Sequence, residues 1–265
     1  MIQYRTEQLT VFQSLLYQTT SAVLKTDGAI VIVDPNWLPN EVLQIKEHVQ
    51  LVRTNEPLYV IYTHSDFDHV IGSGVFPDAT VIATEDLANH PDKEGIEREV
   101  AEFDQGYYLD RSYTPVFPEV DIKIDADGQI LELGGLTLYF YKAPGHTKDS
   151  LFTIVQPLGL FLSGDYLSDV EFPFISSSYQ DYVATISKAE KIFQQHSIKM
   201  HVPGHGSMTK DVVEMLERLS FSKYYLEELA TNPESLRKVC QAKYRFYNGI
   251  KEMHEENIRK ASDEQ

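Results

Sequence analysis

The sequence predicts a layered α/β fold, and three observations carry that expectation. Short apolar runs rich in aromatic and β-branched residues recur along the chain. The clearest, Leu58-Tyr59-Val60-Ile61-Tyr62, reads as a buried strand. Between such runs lie stretches with apolar residues at helical spacing, Val42, Ile45 and Val49 in one and Val183, Ile186, Ala189 and Phe193 in another. A chain of 265 residues with 42% hydrophobic content is also long enough, and ordinary enough in composition, to bury a substantial core.

The elements follow in order. Val11–Tyr17 and Ser21–Lys25 read as strands, and Thr26-Asp27-Gly28 is a hairpin signal before a buried strand at Ala29–Val33 that ends on Asp34-Pro35. Tight turns between consecutive strands predict an antiparallel meander. Residues 39–52 read as a helix with Asn40 at its N-cap. After the strand at 58–62 come a short helical stretch near 71–76 and a strand at Ala79–Ala83, so strand, helix and strand alternate. From about 85 to 119 the pattern loosens. Helical pieces at 85–88 and 97–103 precede an aromatic, mixed-charge run at 106–113, and the whole reads as an inserted lid. Residues 121–141 read as a second meander with a Gly134-Gly135 turn. Strands at 150–155 and 159–162, a helix at 181–195 and a last strand at 198–202 follow. Helices at about 210–262 close what reads as a single domain over 1–265.

The chemistry concentrates after the strand at 58–62. Thr63-His64-Ser65-Asp66-Phe67-Asp68-His69 places four metal-capable side chains in six positions, with no Lys or Arg among them. Like charges packed this closely are costly to bury without a cation. A metal site at the C-terminal end of a strand explains them. Further strands end in metal-capable residues beside a glycine or an acid: His146 in Pro144-Gly145-His146-Thr147, Asp165 in Ser163-Gly164-Asp165, and His205 in Pro203-Gly204-His205-Gly206. Strand ends at one sheet edge converge, and that edge is where α/β folds place their sites. His201, inside the last strand, reads as a buried, satisfied histidine. His48, His90, His196 and His254 have no partner in sequence and read as surface residues.

Taken together, these motifs resemble the metallo-β-lactamase superfamily, whose set runs His-x-His-x-Asp-His, then a His, an Asp and a last His. The matching positions are His64-x-Asp66-x-Asp68-His69, His146, Asp165 and His205, and the resemblance covers roughly residues 10–210. It implies an αβ/βα four-layer sandwich with two metal ions in a cleft at one sheet edge. Carried over, His64, Asp66 and His146 would hold the first metal, Asp68, His69 and His205 the second, and Asp165 would bridge them. Asp34 matches a position that supports the site from behind a ligand. The implied catalytic residues are Asp165 and Asp68, the latter as proton carrier. The implied chemistry is hydrolysis of a small-molecule ester, thioester, lactone or phosphodiester through a metal-bridging hydroxide.

Asp66 departs from the family, which normally has His there. A carboxylate reaches less far than imidazole and adds a negative charge. Oxygen-rich donor sets favour harder ions, so iron or manganese gains ground against zinc, the first expectation for the two divalent metal ions. Flavodiiron relatives of the fold carry Glu at this position and use iron. That makes a di-iron or mononuclear-iron redox enzyme or oxygenase the alternative, although the stretch after His205 is too short for their flavodoxin domain.

The formal net charge of −17 sets an acidic surface against phosphate backbones, so neither nucleic acid nor an anionic membrane is expected as a partner. No stretch approaches the roughly 20 apolar residues of a membrane span, and the N-terminus has no signal-peptide pattern. Cys240 is the only cysteine and reads as packing. A cytoplasmic location is expected. The expected partner is a small-molecule substrate gripped by the 103–113 segment and Phe172-Pro173-Phe174. The Tyr- and Phe-rich C-terminal stretch offers cover for the lid, or a surface for a homodimer.

Overall fold

A computed structural model describes residues 1–264. Two sheets pack face to face with helices on both outer faces. The first sheet has seven strands in sequence order: β1 (Ile2–Arg5), β2 (Leu9–Gln13), β3 (Thr20–Lys25), β4 (Ile30–Val33), β5 (Leu58–Ile61), β6 (Thr80–Thr84) and β7 (Ile122–Ile124). Pairing is antiparallel from β1 to β4 and parallel from β4 to β7. The second sheet runs β12 (Met200–Val202), β11 (Leu160–Leu162), β10 (Leu151–Gln156), β9 (Leu136–Lys142), β8 (Gln129–Leu133), antiparallel except where β12 joins β11.

Alternation along each strand builds the layers. On β4, Val31 and Val33 face the other sheet while Ile30 and Ile32 pack under α1 (Pro39–Val52) through Ile45 and Val49. On β10, Leu151 and Val155 join the same inter-sheet core. Phe152 and Ile154 turn outward under α5 (Tyr179–Gln195) and α6 (Val212–Thr231). Both sheets are thus apolar on both faces, which is why β4 and β10 read as continuous apolar runs. Two more helices, α7 (Pro233–Lys243) and α8 (Tyr247–Asp263), close over α6, and Cys240 packs there, fully buried. Among the described residues no helix is long and apolar enough to cross a membrane.

Several local expectations are corrected. Residues 122–124 pair parallel with β6 and so belong to the first sheet, not to a meander with 129–141. The strand expected to reach Tyr17 ends at Gln13, because Tyr17 and Gln18 take left-handed backbone (φ 50° and 52°) and turn the chain back. The helical turn expected at 71–76 is α2, Phe67–Val70. It begins directly on Asp66, so Asp68 and His69 sit on its first turn. The cap of α1 is Leu38, whose N–H donates to Glu41, not Asn40. Within 85–119, α3 (Glu85–Ala88) and a longer α4 (Lys93–Tyr107) are followed by a tethered coil. Arg111 makes a two-pronged pair with Asp104 (2.7 and 2.9 Å) and donates to the Trp37 carbonyl. His254 is fully buried, its Nδ1 3.0 Å from the Tyr225 hydroxyl, rather than at the surface. Phe172, expected to grip a substrate, is buried. It stacks on Tyr225 inside the helical layer with ring centres 5.3 Å apart.

Candidate metal centre

The turns after β4, β5, β9, β11 and β12 meet at one edge of the sandwich. Backbone bonds tie them together: Leu151 N–H donates to Thr63 O (2.8 Å) and Thr20 N–H to Gly204 O (2.7 Å) between the sheets, and Gly204 N–H to Gly164 O (2.6 Å) within the second. Two glycines make the approach possible. Gly145 has φ +131°, and a Cβ there would lie 2.4 Å from Tyr182 Cα. A Cβ on Gly204 would lie 2.1 Å from Asp165 Oδ1, so here the need is for space at the carboxylate rather than for a sharp turn.

All seven residues singled out from the sequence come together, in two groups that could each hold a cation: His64, Asp66, His146 and Asp165, and Asp68, His69 and His205. Asp165 reaches both. Its Oδ2 lies 3.5 Å from His64 Nε2, 3.2 Å from His146 Nε2 and 3.2 Å from His205 Nε2, and its Oδ1 lies 3.1 Å from His69 Nε2. Asp66 Oδ2 stands 3.1 Å from His146 Nε2 and 3.7 Å from His64 Nε2. Asp68 Oδ2 stands 3.4 Å from both His69 Nε2 and His205 Nε2. Donors about 2.0–2.2 Å from one tetrahedral cation lie roughly 3.3–3.6 Å apart. The spacings observed are near that range.

The donor atoms are aimed by bonds on the far side of each ring. Every imidazole turns Nε2 inward and gives Nδ1 to an outer partner: His64 to Thr63 Oγ1, His69 to Asp34 Oδ2, His146 to the Phe174 carbonyl and His205 to the Tyr17 carbonyl, each at 2.9 Å. Asp34 supports two of them, because its Oδ2 also accepts from the Thr63 hydroxyl (2.6 Å). Its own position depends on a left-handed backbone, φ 44°.

The donor set fits cations on two further counts. His64 Nε2 and Asp165 Oδ1 are buried without a hydrogen-bond partner, and such orphaned groups are costly unless something binds them. The His69 and His205 Nε2 atoms face each other at 3.3 Å. At most one of a neutral pair could bond the other, whereas both lone pairs can point at a cation. Left to themselves, the carboxylates draw protons onto the rings. Burial opposes charge on His205, but Asp165, Glu171 and Asp68 outweigh it and carry its pKa up to about 10. His69 and His146 are pushed upward in the same way against burial. Burial raises Asp66, but the His146 hydrogen bond and the charges of His146 and His64 hold it at about 2. It is therefore a ready anionic donor, and with 38% of its side chain exposed it faces the open cleft. Burial is the main cause that pushes Asp68 upward.

His201 stays out of both groups: buried, its Nε2 bonds Ser163 Oγ (2.8 Å). Sequence reasoning missed Thr19, whose hydroxyl lies 3.4 Å from Asp68 Oδ2 and 3.3 Å from His205 Nδ1. It also missed Glu171, 3.9 Å from His205 Nδ1, and Asn257 on α8. Asn257 accepts from Ile175 N–H (3.0 Å) and donates to the Pro173 carbonyl, so it grips both neighbours of Phe174, the residue that orients His146. None of the three belongs to a motif, and their partners lie tens of residues away. On the open side, Trp37, Phe67 and Phe103 pack against one another, Phe103 edge-on to Trp37 and the other pairs tilted, with centroid separations from 5.2 to 5.7 Å, and place α4 beside the cleft.

Comparison with known proteins bears on the family and the fold. A family model described as metallo-beta-lactamase superfamily matches residues 15–219. A coenzyme F420H(2) oxidase from Methanothermobacter marburgensis is 23% identical over 225 residues, covering 72% of this chain and 50% of the relative, so the chain spans about half the length of that protein. Among solved structures, a stereoselective inverting sec-alkylsulfatase from Pseudomonas sp. superposes with a TM-score of 0.69 at 13% identity, over 89% of this chain and 43% of that one. A metallo-beta-lactamase family protein from Thermus thermophilus gives 0.65 at 16% identity, over 87% of this chain and 83% of the other. The match runs through most of the sequence and the same two-sheet fold recurs in solved relatives, with the paired donor groups lying where the strand ends meet: the chain belongs to the metallo-beta-lactamase superfamily.

Proposed function

We propose that the protein is a metal-dependent hydrolase acting on a small-molecule ester, thioester, lactone or phosphodiester. The single observation that carries this reading is the pair of donor groups sharing Asp165. In it, His64, Asp66 and His146 would hold one divalent cation and Asp68, His69 and His205 a second, with Asp165 available to both. When bound, two such ions supply a Lewis acid and lower the pKa of a water between them. The chain's own residues do the rest. Asp165 fixes the spacing of the two groups. Asp68 spends Oδ2 on its own group, while its Oδ1 has no hydrogen-bond partner among the described residues and is free to carry a proton to the leaving group. Trp37, Phe67 and Phe103 restrict water on one side of the cleft. Zinc is the first expectation for both positions, and the carboxylate of Asp66 gives iron or manganese ground at the first. A cytoplasmic setting belongs to the same reading.

The test is turnover. Purified protein will hydrolyse at least one member of a panel of chromogenic esters, thioesters, lactones and phosphodiesters, and a chelator will abolish that turnover. Silence across all four classes sinks the proposal. A second reading, iron-dependent redox chemistry on the same centre, draws on Asp66 and on the oxidase among the relatives. Stoichiometric zinc or manganese in protein made with iron supplied would end it.

Asn257 provides a separate check on the first position. Asn257→Ala leaves the Ile175 N–H and the Pro173 carbonyl without partners, at a cost of roughly 1–3 kcal/mol each. The variant is expected to bind the cation on the His146 side about 10–100-fold more weakly, with the second position unaffected. Asn257→Asp, which keeps the acceptor for Ile175, should retain more of that affinity in a calorimetric zinc titration. Equal weakening of both positions would show a general loss of structure instead.

A further inference from the structure

Beside the metal centre lies a cavity of about 440 Å³ whose predominantly apolar walls come from three separate parts of the chain: residues 15–18, Val170-Glu171, and 245–250 at the start of α8. Its size falls within the roughly 300–1,000 Å³ of small-molecule sites. Two walls are direct continuations of the centre. Residues 15–18 lead into Thr19, which contacts Asp68, and the Tyr17 carbonyl accepts from His205 Nδ1 (2.9 Å). Val170-Glu171 lies on the loop that begins with Asp165, and the Glu171 carboxylate stands 3.9 Å from the same His205 nitrogen.

Two features of the cavity are unusual for a soluble surface. Three large apolar side chains on its walls are left in water, Leu15 at 74%, Tyr17 at 62% and Phe246 at 46% exposure. Arg245, also on the wall, has no carboxylate within ion-pair distance among the described residues, in a chain of net charge −17. Its guanidinium lies 5.3 Å from the Phe246 ring. The positive end of α8 adds to it, since that helix begins here with no side-chain cap and no acid in its first turn. The inner end has the opposite character, with the Glu171 carboxylate beside His205. An anion therefore belongs at the Arg245 end, and the reacting group at the end nearer the metals.

We infer that this cavity holds the non-reacting arm of the substrate, and that the arm is an apolar chain or ring ending in a carboxylate-sized anion paired with Arg245. The inference rests on the hydrolase reading for the word substrate, but its test does not depend on turnover. Trp37 is the only tryptophan, is buried, and sits edge-on to Tyr17 with centroids 5.9 Å apart, so its fluorescence reports on the cavity wall. The holoprotein is titrated with octanoate, octanol and octylammonium, which share an apolar body and differ in charge. Octanoate is expected to bind at least tenfold more tightly than octylammonium, with octanol between them. Arg245→Lys should keep that order and Arg245→Glu should reverse the two ions. Arg245 is exposed and makes no ion pair among the described residues, so neither change threatens the fold. The preference for octanoate should survive chelation, which separates the cavity from direct binding of a carboxylate to the metals. Equal affinities for the three probes, an octanoate affinity indifferent to Arg245→Glu, or octanoate binding lost on chelation would each overturn it. A protein that binds octanoate in this way yet hydrolyses nothing would defeat the hydrolase reading alone.

Discussion

Asp165→Ala will empty both metal positions at once and remove chelator-sensitive activity. This is the largest single-residue effect expected in the molecule, because one carboxylate lies within 3.1–3.5 Å of all four inward-facing imidazole nitrogens. Loss of an outer hydrogen bond to a ligand costs about 10–100-fold in affinity or activity, and loss of the shared donor must cost more, because it breaks both sets. The change also leaves His64, His69, His146 and His205 buried around a void, with only Asp66 and Asp68 as acids on the side of their Nε2 atoms. Two measurements check this. Metal analysis of Asp165→Ala and of the isosteric Asp165→Asn should find substoichiometric metal in both. Thermal unfolding supplies the second. A ligand present at about 100 times its dissociation constant adds roughly 2.7 kcal/mol, which for a chain of this size is on the order of 5–10 °C. Chelation should lower the midpoint of the native protein by about that much and leave the variants unmoved. Full metal content in Asp165→Ala would show that the two groups do not share this residue.

Asp66→His will move metal preference toward zinc. Asp66 gives the first group a carboxylate beside Asp165, as Asp68 does the second, and it keeps its charge because His146 and His64 hold its pKa at about 2. An imidazole there removes one negative charge and one oxygen donor, which favours the softer ion. In protein produced with zinc, iron and manganese supplied equally, the ratio of zinc to the other two is expected to rise on the order of tenfold, the lower end of what altered surroundings of a metal produce. The side chain is partly exposed at the cleft, so the larger ring has room to turn outward. An unchanged ratio would mean that the Asp66 carboxylate points at the cleft without binding metal, and the case for iron chemistry would fall with it.

The site was legible in the sequence to an unusual degree, for a reason particular to this architecture. Its seven residues sit where strands stop, and a strand announces its end through a run of apolar residues giving way to polar residues or glycine. Ile61 to His64, Leu162 to Asp165 and Val202 to His205 all follow that rule. Patterns that depended on a partner strand were less readable. Ile122–Ile124 looked like the start of a meander because its neighbours in sequence are strands, yet its register partner is β6, some forty residues earlier. Phe172 looked like a ligand contact because it lies in an aromatic loop. Its ring is buried on Tyr225, a contact fixed by how α6 packs.

The sequence by itself determined the layered fold class, the seven metal-capable positions and the one irregular member among them, because each is a property of residue type and local spacing. Only the tertiary structure decided what surrounds them. That Asp34 supports His69 directly and His64 through Thr63, that Asn257 holds the turn behind His146, and that Arg245 stands without an ion pair among the described residues beside an apolar cavity at the edge of the centre all depend on contacts between segments distant in the chain. Hydrogen bonds act over about 3 Å, and no spacing in a linear sequence encodes which distant segment will come that close.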